Sequence, residues 1–171
     1  MPKIIENLRE RLLAEAKRQV MESGYANTTV RSIAKACGVG TGTVYNYFES
    51  KDMLIASFVA DDWRGCLAEM KAFESTDCEA FFRNVHDCLR RFIERNIRLF
   101  SDKDASASYG TAFLSRHAQL RGQIAKVLAP VCCANGRPDP FFAEFAAESL
   151  LSWTSEEKSF EDQWQILKLL F

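Results

Sequence analysis

Tyr45, Asn46 and Tyr47 are three hydrogen-bonding side chains in succession within one short segment. Val44 and Phe48, four residues apart, can turn to a core at helical spacing. The intervening residues then project elsewhere, where phenol and amide groups suit hydrogen bonds to phosphates or base edges. A core role is expected for part of the Tyr47 ring, but not for all three side chains. Lys51 adds a cation in the first turn of the following helix, where it opposes the helix macrodipole. A phosphate ligand would compensate that placement.

These residues require a scaffold, and the sequence 28–51, TTVRSIAKACGVGTGTVYNYFESK, supplies one. Thr28 or Thr29 can cap a helix over about residues 30–36 carrying Val30, Ile33, Ala34 and Cys37. Gly38 stops it. Thr41 or Thr43 starts a second short helix, and Ser50 caps a third, longer one. Two brief helices joined by a Gly-containing turn form the helix-turn-helix pattern, whose second helix enters the major groove of DNA.

The rest of the chain reads as helix throughout. Ile5, Leu8, Leu12, Ala16 and Val20 mark an amphipathic first helix ended by Gly24. Met53, Leu54, Phe58, Asp62, Cys66, Met70 and Phe73 track a long helix towards residue 74. Ser75-Thr76-Asp77 caps a fifth, with Phe82, Val85, Leu89, Phe92, Asn96 and Phe100 on a wide face. Residues 101–108 read as a polar break, followed by a short piece with Tyr109 and Phe113 and another over about 119–133. The clearest loop is residues 135–140. Two closing helices follow, the first opening at Pro140 and the second carrying Phe160, Trp164, Leu167 and Phe171. No strand pattern and no repeat is present, so the fold class is all-α.

Composition agrees. The chain has 171 residues, 47% hydrophobic and 26% charged, with 13 Phe but only 8 Gly and 4 Pro. That is globular and helix-favouring. Net charge is −1. Residues 1–58 hold eight Lys/Arg against six acids (+2), and residues 59–171 fourteen against seventeen (−3). The asymmetry permits phosphate binding at the N-terminal end without requiring it. No apolar run reaches the roughly 18 residues of a membrane span, and the first residues lack a signal-peptide core; a cytoplasmic protein without membrane contact is expected. Six cysteines without a CxxC pair, beside two His, give no metal-ligand spacing. Vicinal Cys132 and Cys133 are read as small buried residues in preference to an oxidant sensor. His86, between Arg83 and Arg90, is read as a surface residue. No nucleophile–base pairing or phosphate loop stands out, so an enzyme is not expected, nor is a cofactor.

Over roughly residues 8–60 the sequence resembles the TetR/AcrR family of transcriptional regulators. The resemblance lies in Gly24-Tyr25, Thr28-Thr29-Val30 with Ile33-Ala34, Gly38-Val39, Gly42-Thr43-Val44-Tyr45, Tyr47-Phe48, and Ser50-Lys51-Asp52 followed by Leu54. It implies an N-terminal three-helix helix-turn-helix domain (residues 1–50) and a larger helical effector-binding and dimerisation domain (residues 51–171). Carried over by position, it implies phosphate contacts from Thr29, Arg31, Tyr47 and Lys51. Groove contacts would come from Thr41, Thr43, Tyr45 and Asn46, with Gly42 allowing close backbone approach. Gly40 stands where many members have Ser, and Thr41 where some have Lys or Arg, which implies fewer direct base contacts.

The implied partners are a double-stranded DNA operator, a second copy of the chain, and a small, largely apolar effector. The effector pocket is expected around Trp63, Cys66, Met70, Phe92, Asn96, Tyr109 and Phe113. The dimer interface is expected from Phe141, Phe145, Leu151, Phe160, Trp164, Leu167 and Phe171. A repressor released from a palindromic operator is the leading expectation. The alternative is an effector-independent nucleoid-associated or division-control protein of the same fold.

Overall fold

The computed structural model describes residues 7–170, without the side chains of residues 106–115. Eight α-helices follow one another among the described residues, with no strand: α1 (Leu8–Ser23), α2 (Val30–Cys37), α3 (Thr41–Tyr45), α4 (Lys51–Ala72), α5 (Cys78–Phe100), α6 (Lys103–Ala134), α7 (Pro140–Ser155) and α8 (Phe160–Leu167). A turn of 3-10 helix, Lys168–Leu170, closes the described chain. The helices sort into two compact units. One comprises the chain through Asp62 together with Asn96–Tyr109, the other Trp63–Arg95 together with Gly110–Phe171.

The first unit is built on one apolar cluster. Leu12, Ala16 and Val20 of α1 meet Ile33 and Ala34 of α2, Val44 of α3, and Leu54 and Ile55 of α4, all essentially inaccessible to water. Leu8 joins them, whereas Ile5 lies outside the described residues. Local signals set the helix ends. The Thr29 hydroxyl accepts from Ser32 N at 3.0 Å while the Ser32 hydroxyl accepts from Thr29 N at 3.1 Å, closing a capping box at the start of α2. Thr28 is buried instead, and its hydroxyl donates to the Gly24 carbonyl at 2.9 Å. Gly38 ends α2 in the left-handed region, φ 72° and ψ 32°, with its N–H on the Lys35 carbonyl at 3.2 Å. Only glycine takes that conformation without a Cβ penalty.

The second unit has its own core of Phe82, Leu89, Ile124, Leu128, Leu150 and Leu167, all fully buried. Phe82 and Trp164 pack at 5.6 Å between ring centroids, and Trp164 stacks on Phe160 at 5.9 Å. α7 opens as its sequence suggests: Asp139 accepts from Phe141 N at 2.9 Å, and Pro140 takes the first helical position. Its buried residues are mainly small, Ala143, Ala146, Ala147 and Ser149.

Three expectations are corrected. Residues 101–108 are no polar break: α6 begins at Lys103 and runs without interruption to Ala134, with Pro130 inside it. The Asp102 carboxylate caps the start by accepting from Asp104 N and Ala105 N at 2.9 and 3.1 Å. His86 is buried, not on the surface, its ring edge against Phe160 at 5.5 Å and its Nδ1 3.0 Å from the Asp87 carboxylate. Of the vicinal cysteines only Cys132 is buried; Cys133 is exposed.

The backbone at Gly38 has a measurable cost if altered. Gly38→Ala is expected to lower stability by about 1–2 kcal/mol, the left-handed penalty of an L residue. Gly65→Ala, in the open interior of α4 with nothing within 4 Å of an added Cβ, is expected to raise it by about 0.5–1 kcal/mol. Urea denaturation separates the two signs, and a neutral Gly38→Ala would contradict the left-handed turn.

Candidate nucleic-acid interface

The first unit opens a concave cleft of about 590 Å³ lined by Ala26, Thr28, Thr29, Val30, Arg31, Thr41, Tyr45, Glu49, Ser50 and Lys51. The N-termini of α2 and α4 both border it. Ser50 caps α4, accepting from Met53 N at 3.1 Å, and two helix starts at one cleft present unpaired N–H groups and partial positive charge. Such a surface favours anions. Arg31 is exposed, and no hydrogen bond or ion pair engages it among the described residues.

The structure thus brings five of the nine expected DNA-contacting residues into one cleft: Thr29, Arg31, Thr41, Tyr45 and Lys51. Gly42, Thr43, Asn46 and Tyr47 belong to α3 and its exit but do not line the cleft. Val44 and Phe48 are buried, 0% and 6% exposed, while Tyr45 and Tyr47 stand 54% and 47% exposed. Tyr47 keeps one side against Phe48, with ring centroids 6.5 Å apart. Phenol rings so exposed on a five-residue helix gain little from burial. The position where a Cβ would lie on Gly42 is open, with nothing within 4 Å.

Lys51 is compensated from within the chain, which its sequence position does not reveal. Its ammonium donates to the Tyr25 carbonyl at 3.0 Å and lies 3.7 Å from the centroid of the Tyr25 ring. A carbonyl and a π face together offset its unfavourable place at the start of α4. Tyr25 is buried, its hydroxyl donates to the Asp52 carboxylate, and its N–H donates to Asp102 at 3.1 Å. Three backbone N–H groups, those of Ala105, Tyr25 and Asp104, hold the Asp102 carboxyl below the usual carboxylate range. Tyr25, Asp102 and Glu49 were not among the expected site residues. Their roles depend on contacts across 26 to 77 positions of sequence, except for Glu49, whose place beside Ser50-Lys51 was a legible signal.

Residues 12–58 match the family model of bacterial regulatory proteins of the tetR family. That segment is similar to the tetR family. A stretch of 54 residues is 37% identical to the HTH-type transcriptional regulator HbdR of Aromatoleum sp. (strain CIB), covering 32% of this chain and 24% of that protein. Another 63-residue match is 32% identical to the HTH-type transcriptional regulator UidR of Escherichia coli (strain K12), covering 37% of this chain and 32% of that one. These matches span about a quarter to a third of the relatives' length. Similarity of fold reaches further. Salmonella enterica GusR aligns with a TM-score of 0.67 at 17% identity, over 98% of this chain and 94% of that one. A TetR transcription regulator from Haloarcula marismortui ATCC 43049 aligns at 0.64 and 21% identity, over 97% of each chain.

The residues expected around an effector fall in both units. Trp63, Cys66, Met70 and Phe92 are buried in the second, with Trp63 edge-on to Phe92 at 5.1 Å and its indole N–H donating to the Gln123 side chain at 2.6 Å. Burial pushes the Cys66 thiol up to about 12. Asn96 is also buried but belongs to the first unit, where its amide donates to Asp62 at 3.0 Å beside Lys17. The side chains of Tyr109 and Phe113 lie outside the described residues. Among residues expected at a dimer interface, Phe141 and Phe145 are 68% and 42% exposed on α7. Trp164 is half-buried, and Leu151, Phe160 and Leu167 are buried within the chain. Phe171 lies outside the described residues. No described helix is long and apolar enough to cross a membrane.

The depressed Asp102 carboxyl fixes the sign of one pH effect. Its folded pKa lies below the unfolded value of about 4, so its stabilisation is complete above that value and is lost as pH falls through the folded one. Asp102→Asn keeps an acceptor for the α6 cap but replaces an oxygen facing Tyr25 N–H. It is expected to flatten the acid limb of the stability–pH profile below about pH 4, and an unchanged acid limb in denaturant titrations would refute the role.

Proposed function

We propose that the chain is a sequence-specific DNA-binding transcriptional regulator acting as a homodimer in the cytoplasm. It represses from a palindromic operator and is released by a small, largely apolar effector. The observation that carries the DNA-reading role is the cleft where Thr29, Arg31, Thr41, Tyr45 and Lys51 meet at two helix N-termini. Arg31, Lys51 and the α2 N-terminus take phosphates; α3 presents Tyr45, Asn46 and its threonines to base edges.

Two copies would place two such helices on half-sites one helical turn apart, which makes the operator a palindrome. The exposed Phe141 and Phe145 of α7, in mutual ring contact at 6.5 Å, support a partner surface there. Trp63, Cys66, Met70 and Phe92 supply an apolar, aromatic setting for the effector. Such a ligand shifts the bound and released states only by its differential affinity for them.

A gel shift and footprint on the DNA upstream of the chain's own gene test this reading. A protected palindrome at low salt is expected; scattered, sequence-indifferent protection would favour the effector-independent nucleoid-associated role, and none at all would overturn DNA binding. In the same assay Tyr45→Ala is expected to abolish specific binding with an unchanged helical spectrum. Lys51→Ala is expected to weaken binding to every sequence and to flatten the salt dependence by about one in slope. Unchanged binding by Tyr45→Ala would refute its assignment.

A further inference from the structure

The usable positive charge of the first unit is smaller than its composition suggests. Lys17 pairs with Asp62 at 2.5 Å, Arg18 with Glu15 at 2.6 Å and with Glu22, and Arg9 with Asp61 at 3.8 Å. The Arg11 guanidinium donates to the Cys37 carbonyl at 3.2 Å. Lys51 is spread over Tyr25. Among the described residues of this unit's helix-turn-helix, Arg31 and Lys35 carry no such engagement. Against so few cations, one carboxylate sits in the cleft itself. Glu49 lines it beside Ser50 and Lys51, is exposed, and has no hydrogen bond or ion pair among the described residues.

We propose that Glu49 is a negative determinant of DNA binding, a free carboxylate in the phosphate-facing cleft that cancels part of the sequence-independent attraction. This rests on the DNA-reading role of the cleft. Sequence-independent affinity comes almost wholly from neutralised phosphates and released counterions. A fixed negative charge within a Debye length of a phosphate, about 8 Å at physiological salt, subtracts from that gain. With attraction held low, the protein depends on base contacts from α3 to remain bound. Glu49 therefore limits residence on DNA that lacks them.

Fluorescence anisotropy of the full chain on two labelled duplexes tests this, one of random sequence and one enriched by the protein from a random pool. Both are titrated across a salt series. Glu49→Gln is expected to tighten both complexes about three- to tenfold at low salt, with a salt slope steeper by up to about one. Glu49→Lys is expected to go further in the same direction. Glu74→Gln, the same charge change at an exposed position between α4 and α5, is expected to leave both unchanged. Circular dichroism melts establish that each variant is folded. Measurable binding that Glu49→Gln alters no more than Glu74→Gln does would overturn this inference alone. Weakening confined to the enriched duplex would also overturn it, by making Glu49 a base-edge acceptor. Absence of binding by wild type and every variant would overturn the DNA-reading role together with the inference.

Discussion

Tyr25 is bonded at every polar group it possesses, and the bonds reach two other parts of the first unit. Its N–H goes to Asp102, 77 positions on; its carbonyl takes the Lys51 ammonium; its hydroxyl goes to Asp52; its ring lies beneath Lys51. The connector from α1 to α2 is thereby tied to the start of α4 and to the start of α6. That connector sets where α2 begins, and α2 carries Thr29 and Arg31 into the cleft. A buried residue with all its groups satisfied is a rigid joint, because breaking any one bond strands a donor or acceptor away from water. Arg98 reinforces the joint by donating to the Met21 and Glu22 carbonyls at the end of α1. The last turn of α5 and the first of α6 are in this sense parts of the unit that carries the helix-turn-helix.

Electrostatics in this unit is a matter of placement more than of net charge. The N-terminal 58 residues carry +2, yet most of their cations are held in ion pairs or on carbonyl groups. What remains for an anion among the described residues is Arg31 and Lys35, with Lys51 partly engaged by Tyr25, together with the start of α2 and the start of α4. The exposed polar side chains of α3 stand alongside. Under the proposed DNA-reading role, limited phosphate attraction beside an exposed set of hydrogen-bonding side chains suits discrimination between sequences.

The helix-turn-helix was legible because its signals are local: a threonine cap, a glycine stop, Val44 and Phe48 four apart, and Ser50 before a long apolar period. The same holds for Asp139-Pro140 at the start of α7. What was not legible depends on distant partners. The serines and alanines of residues 101–108 look like a loop until Asp102 is seen capping α6 and taking Tyr25 N–H. His86 has charged neighbours in sequence, and only Phe160, 74 positions away, shows why it is buried. Lys51 looks uncompensated because Tyr25 lies 26 positions before it.

Enrichment of bound duplexes from a random DNA pool by the wild-type chain at low salt tests the DNA-reading claim most directly. The account predicts a dyad-symmetric motif with two half-sites about one helical turn apart. A pool that shows no enriched motif after repeated rounds would contradict it.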